Sequence, residues 1–189
     1  MKSRKNLSAA LLLCLGAVFT TQVAAQEGQV TIPQGALAIN DSGPWAGAFD
    51  ELNHALAADF LYEPNGAVMK KLTFQGPFTV FAPTDGAFQA LKQTLACNGL
   101  SLSDVPDIVR LTLAYHGVKG MLLAADVLAA AEIDTLAGVT LAQDGGVITD
   151  AAGQQANILA TDIVVGNGVV HVIDTVLLPA DLGLAACGA

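Results

Sequence analysis

The chain has few positively charged side chains, few histidines and few cysteines. It carries 8 lysines and arginines against 17 aspartates and glutamates, and only 3 histidines and 3 cysteines in 189 residues. The formal net charge of −9 repels nucleic acid and anionic lipid. Beyond the first five residues, the only adjacent basic pair is Lys70-Lys71. We therefore expect no nucleic-acid partner.

The groupings that carry catalysis or hold metals are scarce as well. The three histidines are scattered, without the spacing that binds a metal. No serine lies in a nucleophile elbow, and the glycines fall at turns rather than in a phosphate-binding loop. The acidic residues do not follow the EF-hand spacing. We predict that the protein is not an enzyme and has no catalytic residue and no metal site.

The first 25 residues have the pattern of a secretory signal peptide. Lys2, Arg4 and Lys5 precede an apolar run over residues 7–20, and Val23-Ala24-Ala25 offers small residues for cleavage. The run is too short for a membrane anchor, although an uncleaved N-terminal helix is the alternative. Cleavage would remove three basic and no acidic residues, which leaves a net charge of −12. We predict an exported protein, secreted or periplasmic, without a membrane anchor.

Two cysteines would remain after cleavage, Cys97 and Cys187. An even count in an exported protein favours a disulfide between them, with two free thiols or an intermolecular bridge as alternatives. The bridge would close a loop of about ninety residues, which corresponds to roughly 4–5 kcal/mol at most in the chain-entropy account.

The remaining residues are predicted to form one domain over 45–180, between a lead-in segment over 26–44 and a tail over 181–189. The lead-in is polar and interrupted by Pro33, which predicts a loosely ordered segment or an edge strand. From Trp45 onward, apolar side chains recur at helical spacing. Helices are predicted from Trp45 to Phe60, over 66–72, from Thr84 or Asp85 to Asn98, from Ser103 to Tyr115 and over 124–131.

The second half predicts strands instead. Short apolar runs over 139–142, 147–150, 155–160 and 163–165 are separated by turn signals. Asn167-Gly168 predicts a tight hairpin turn with positive φ at both residues. The run from Val169 to Leu178 predicts one long strand covered on both faces.

Two blocks and the segment between them resemble the fasciclin (FAS1) domain family. Residues 77–91 read PFTVFAPTDGAFQAL, residues 162–179 read DIVVGNGVVHVIDTVLLP, and residues 113–120 read LAYHGVKG. The resemblance covers about Ala46 to Pro179 and is closest to single-domain secreted bacterial members. It implies an α+β fold, a β-sandwich wedge with α-helices packed along one edge.

The resemblance also implies a function. Family members are adhesion or matrix-interaction modules without catalysis or an obligatory cofactor, so the expected partner is a protein or glycan of a cell surface or matrix. Tyr115 and His116 match a region linked to receptor binding in some relatives, although burial in the core is the alternative. Within the two blocks, the polar and turn residues have structural reasons to be present: Thr84, Asp85, Asn167, Gly168, His171 and Asp174. The oligomeric state is left open.

A second class of binding is suggested by carotenoid-binding relatives. An apolar groove between the helices and the sheet would hold a carotenoid or another lipid, with lining residues from Leu111 to Val127. This set includes Met121, Leu122 and Leu123 beside Tyr115, although they would also serve to fill the core.

Overall fold

The computed structural model describes residues 31–41, 43–62 and 67–184. The predicted signal peptide, Cys187 and the start of the lead-in segment lie outside these residues, so cleavage and the disulfide stay predictions. None of the helices in the described ranges is long and apolar enough to cross a membrane.

The helices occupy mainly the first half of the chain. They are α1 (Ile32–Asp41), α2 (Asp50–Tyr62), α3 (Ala67–Phe74), α4 (Asp85–Cys97), α5 (Pro106–Tyr115) and α6 (Ala124–Ala129), with a short 3-10 turn over Leu102–Asp104. The expectation of a loosely ordered or extended lead-in is wrong, because α1 lies within it. Pro33 is the second residue of that helix, where a proline removes no helical hydrogen bond.

The helix predicted to begin at Trp45 begins at Asp50 instead. Asn40 of α1 holds the residues at its beginning. Asn40 of α1 accepts a hydrogen bond from the Phe49 amide (2.8 Å), and its side-chain nitrogen donates to Asp50 (2.7 Å). The Asn40 side chain is therefore committed to the fold, although Asn40-Asp41-Ser42 has the form of a glycosylation acceptor.

Within the described residues, seven strands form one curled sheet. They are β1 (Phe78–Pro83), β2 (Gly117–Lys119), β3 (Glu132–Asp134), β4 (Thr140–Asp144), β5 (Val147–Thr149), β6 (Gln155–Val165) and β7 (Gly168–Ile173). The spatial order is β2-β1-β7-β6-β5-β4-β3, and only the β1–β7 pair is parallel among these neighbours. A bridge between Val118 and Thr135 joins the two ends, so the sheet is nearly a barrel.

Two details of the strands differ from the expectation. The runs over 155–160 and 163–165 are one strand, β6, which is interrupted by irregularities around Ala160 and has Asp162 at a φ of 60°. The long final strand ends at Ile173, because Asp174 turns its carboxylate onto β6 (Asn157 N to Oδ1, 2.9 Å). The segment after it stays buried without pairing in the sheet.

Buried side chains form two clusters, one on each side of the β1–β7 pair. The first packs α1 to α5 against the sheet and includes Phe49, Leu52, Val80, Phe88 and Val170. The second fills the interior of the curled sheet and includes Phe81, Tyr115, Leu141, Ile148 and Ile173. The strands therefore form a wedge with the helices on one side, as the α+β expectation has it.

Candidate functional site

The first block joins two helices to β1. The Thr84 hydroxyl caps its own helix, α4, by accepting a hydrogen bond from the Ala87 amide (3.4 Å). The Asp85 carboxylate faces a different helix: it accepts hydrogen bonds from the Asp50 and Glu51 amides (3.3 and 2.9 Å) at the beginning of α2. These amides lack partners within the helix, and a carboxylate there also compensates the helix dipole.

The second block begins with a turn that lies one residue earlier than predicted. Val165 pairs with Gly168, so the turn residues are Gly166 and Asn167, and neither has a positive φ. The expected positive-φ turn is therefore wrong. Gly168 is needed for a different reason, because a Cβ atom there would lie 2.0 Å from the Phe78 carbonyl oxygen. Asn167 donates to the Leu72 carbonyl (2.6 Å) and ties the turn to α3.

His171 and Asp174 connect strands to neighbouring segments. His171 is buried and stacks on Phe81, with ring centroids 5.6 Å apart. Its Nε2 donates to the Leu122 carbonyl (2.9 Å), and its Nδ1 accepts from the Asp162 amide (3.4 Å). Burial raises the pKa of Asp174, but hydrogen bonds from Asn157 and Thr175 outweigh it and hold the pKa below the usual range.

Tyr115 lies in the interior of the curled sheet with no exposed surface. Its hydroxyl donates to the Thr140 carbonyl (2.9 Å) and accepts from the Ala151 amide (3.0 Å). Burial raises the pKa of this phenol, and the hydrogen bond from Ala151 opposes that shift. The ring cannot touch a partner in this conformation.

His116 is also buried and bridges two segments. Its Nδ1 donates to the Thr112 carbonyl (2.7 Å), and its Nε2 accepts from the Leu177 amide (3.0 Å). Burial lowers the pKa of His116 to about 4, although the hydrogen bond to Thr112 opposes the shift. Of the two interpretations of Tyr115 and His116, receptor recognition and burial in the core, the structure has both side chains buried and bonded within the fold.

The neighbouring residues Gly120 to Ala124, here called the 120–124 loop, are accessible. Met121 and Leu123 are 45% and 42% exposed, whereas Leu122 between them packs on the inner cluster. The loop follows β2 and lies over β1 and β7. Of the five residues that sequence reasoning selected for binding, only Met121 and Leu123 present large apolar surface to solvent.

Hydrogen bonds fix the 120–124 loop along its length. The Thr79 hydroxyl of β1 donates to the Gly120 carbonyl and accepts from the Leu122 amide, both at 2.8 Å. His171 holds the Leu122 carbonyl, and the Asp162 carboxylate accepts from the Ala124 amide (2.7 Å). Residues of both blocks therefore hold this loop, which presents its two exposed side chains on a rigid backbone.

A groove of about 640 Å³ lies elsewhere, among α2, α4 and α5. Its surface is mainly apolar, and segment 176–182 contributes to it. The aliphatic and aromatic lining residues include Leu52, Phe88, Leu91, Leu95, Val109, Leu113 and Leu178. Thr112, Leu113 and His116, from the expected region Leu111 to Val127, do line the groove, whereas Met121, Leu122 and Leu123 do not.

Charged side chains on the groove occur as pairs. Lys92 of α4 contacts Glu51 of α2 (Nζ to Oε1, 2.6 Å). Arg110 of α5 lies near Asp59 of α2 (Nε to Oδ1, 3.8 Å), and the Asp59 carboxylate also accepts from the Val68 amide (3.2 Å). His54 lies on the same surface and is exposed. The contribution of α2 and α4 to the groove could not be predicted from the sequence, because the groove forms only when three helices that are distant in sequence pack together.

The sequence model of the fasciclin domain matches residues 51–179, more than half of the chain. The chain belongs to the fasciclin (FAS1) family. Both blocks and the 120–124 loop lie within the matched residues. The hydrogen bonds of Asp85, Asn167, His171 and Asp174 connect the helices, turns and strands of this FAS1 domain.

Relatives of the FAS1 domain occur in bacteria and animals. Protein sll1483 of Synechocystis sp. is 39% identical over 115 residues, which are 59% of this chain and 61% of that protein. An uncharacterized Synechocystis protein, sll1735, is 36% identical over 104 residues, 54% of this chain and 74% of that protein. Human periostin is 33% identical over 114 residues, 59% of this chain and 13% of periostin. The chain therefore spans less than two thirds of sll1483 and a small part of periostin.

The fold also matches a solved structure, a FAS1 domain pair from the insect cell adhesion molecule Fasciclin I. The TM-score is 0.51 at 22% identity, over 69% of this chain and 45% of the other. At that identity the match shows the fold, and it agrees with the expected FAS1 wedge. The family thus includes cell-adhesion proteins.

Proposed function

We propose that this FAS1 domain is an exported, non-catalytic binding module that holds a protein or glycan partner at a cell surface or in an extracellular or envelope matrix. The observation that carries the proposal is the fasciclin match over 51–179, in a family that includes a cell adhesion molecule. The predicted signal peptide supports export, and the acidic composition favours partners that are not nucleic acids.

The 120–124 loop is the binding surface in this proposal. Met121 and Leu123 are exposed apolar side chains on a backbone held by Thr79, Asp162 and His171. A rigid loop loses little conformational entropy on binding, so its apolar contacts contribute fully to affinity. Tyr115 and His116 act indirectly in this account, by supporting the strand that precedes the loop.

Capture from cell-envelope or matrix fractions tests the proposal. The immobilised domain is compared with a Met121→Ser, Leu123→Ser double variant and with Leu37→Ser, a control on α1 whose side chain is 51% exposed. We expect the partner to be lost with the double variant and retained by the control. Equal capture by all three proteins would remove the 120–124 loop from the proposal, and capture by none would argue against the adhesion role.

The groove favours a second candidate function, that of a carrier for a small hydrophobic ligand such as a carotenoid or lipid. Its volume of about 640 Å³ lies within the range of roughly 300–1,000 Å³ that is typical of ligand pockets. Native mass spectrometry and absorbance of protein purified from its source test this role. A carrier arrives with its ligand, and protein that is consistently empty contradicts it.

A further inference from the structure

We propose that the groove among α2, α4 and α5 selects a compact, uncharged apolar molecule, and that charge neutrality of its lining sets this class. The inference rests on the carrier role proposed above and narrows it. It does not depend on the 120–124 loop, whose residues are absent from the lining.

The space in the groove results from small side chains on α2. Ala55 and Ala58 are the small residues that α2 contributes to the lining. The lining residues of α4 and α5 are larger, for example Leu91 and Val109. Alanine at both positions leaves room that a leucine would fill. The groove is therefore open because α2 carries alanine at these two positions.

The charges on the lining balance. Lys92 is matched by Glu51 and Arg110 by Asp59, and these four lining residues sum to zero. Arg110 also contacts the exposed Asp107 (Nη1 to Oδ1, 3.3 Å), which lies outside the lining. An anionic ligand would have to compete with a carboxylate that is already in place, and a cationic ligand with an ammonium or guanidinium group. Removing a charged head group from water is costly unless a counter-charge replaces the water. An uncharged molecule avoids both costs.

The two pairs mark the ends of the stretch that α2 contributes to the groove. Glu51 and Asp59 are eight residues apart on α2, which corresponds to about 12 Å along the helix axis. Between them lie the apolar Leu52, Ala55 and Ala58, together with the exposed His54. A compact ring system or a short chain fits this length, whereas a long extended polyene would project past the charged pairs.

Two dyes with the same aromatic frame test the proposal. N-phenyl-naphthylamine is uncharged, and anilinonaphthalene sulfonate adds one negative charge. We expect the folded protein to bind the uncharged dye at least tenfold more tightly in fluorescence titrations. Equal affinity for the two dyes, or no binding of the uncharged dye, would overturn the inference.

Substitutions locate the dye. Ala58→Trp fills the groove and is expected to weaken binding of the uncharged dye at least tenfold, whereas Ala57→Trp, on the exposed face of the same helix, leaves it unchanged. Val109→Trp fills the groove from α5 and serves if Ala58→Trp lowers the urea midpoint. Unchanged dye binding in both filled variants would show that the dye binds elsewhere.

Charge is tested separately with Glu51→Gln, which leaves Lys92 without its carboxylate partner. The affinity for the sulfonate dye relative to the uncharged dye should rise about fivefold, the upper range for an exposed ion pair. An unchanged ratio contradicts the role of neutrality. If protein from its native source carries a charged lipid, the carrier function stands and this inference fails. If protein from its native source is always empty, the carrier function fails regardless of dye binding.

Discussion

Replacement of Tyr115 by phenylalanine separates a structural role of the tyrosine from a recognition role. The substitution keeps the ring and its packing and removes only the hydroxyl. That hydroxyl joins β4 to the turn after β5, through bonds to the Thr140 carbonyl and the Ala151 amide at 2.9 and 3.0 Å. The phenylalanine variant therefore removes two hydrogen bonds and creates no cavity larger than one oxygen atom.

The expected cost follows from those two bonds. An intramolecular hydrogen bond contributes about 1 kcal/mol net, and a buried group left without its partner costs about 1–3 kcal/mol. Because water can reach the backbone near Ala151, which is itself exposed, the lower values apply. We expect the free energy of unfolding to fall by about 2 kcal/mol, or about 1 M in the urea midpoint at an m-value of about 2 kcal/mol/M.

Urea unfolding and partner capture are measured on the same protein preparations. At temperatures well below the midpoint, the Tyr115→Phe variant should capture the partner as wild type does, because the buried hydroxyl makes no contact outside the domain. An unchanged urea midpoint together with reduced capture would refute the structural role. That outcome would mean that the tyrosine becomes exposed and is contacted by the partner.

Four further predictions concern the blocks, the buried histidine and the cysteines. Gly168→Ala should lower the free energy of unfolding by about 3 kcal/mol or more, since the new Cβ would meet the Phe78 backbone. Gly86→Ala in α4, where a Cβ has room, should raise the free energy of unfolding by about 0.5–1 kcal/mol. Equal urea midpoints for the two variants would contradict this. Asp85→Ala should cost about 2 kcal/mol through the lost cap of α2. The control Asp107→Ala, in the first turn of α5, loses only an exposed ion pair with Arg110 and a favourable helix-terminus charge, and should cost less than about 1 kcal/mol. His116 binds a proton more weakly in the folded than in the unfolded state, because burial lowers its pKa to about 4. Its contribution to the free energy of unfolding is therefore fully present above pH 6.5 and is lost as the pH falls towards 4, by about 3 kcal/mol in total. A His116→Gln variant should lack this part of the pH dependence of the urea midpoint. Intact mass spectrometry should show a gain of two hydrogens on reduction if Cys97 and Cys187 are bridged, and an unchanged mass would exclude the bridge.

Local patterns in the sequence predicted much of the fold. The apolar spacing in α4 and α5, the Thr84 cap and the buried β1 strand all depend on residues close together in the chain, and the structure has each of them. Proline is a local pattern with more than one structural interpretation. Pro33 looked like an interruption, yet the second position of a helix accepts proline as readily as a loop does.

Distant contacts account for the features that the sequence could not predict. Asp85 begins α4, but its carboxylate binds the amides at the start of α2, which begins 35 residues earlier. Gly168 was assigned to a turn, although the close approach of β1 is what excludes a side chain there. The groove likewise requires three helices to be in place. In each case the residue type indicates a structural role, but the segment that it contacts cannot be read from the sequence.

The blocks and the proposed binding surface are physically connected, although most side chains of the β1 and β7 strands in these blocks are buried. Thr79 belongs to the first block, Asp162 and His171 belong to the second, and all three hold the 120–124 loop through side-chain hydrogen bonds. β1 and β7 are adjacent and parallel, so Thr79 and His171 reach the loop from neighbouring strands. A buried polar residue that fixes an exposed loop satisfies its own hydrogen bonds and also sets the loop's conformation. The polar residues of the blocks therefore serve the fold and the presentation of Met121 and Leu123 together, because the loop can be rigid only where the sheet supplies its hydrogen-bond partners.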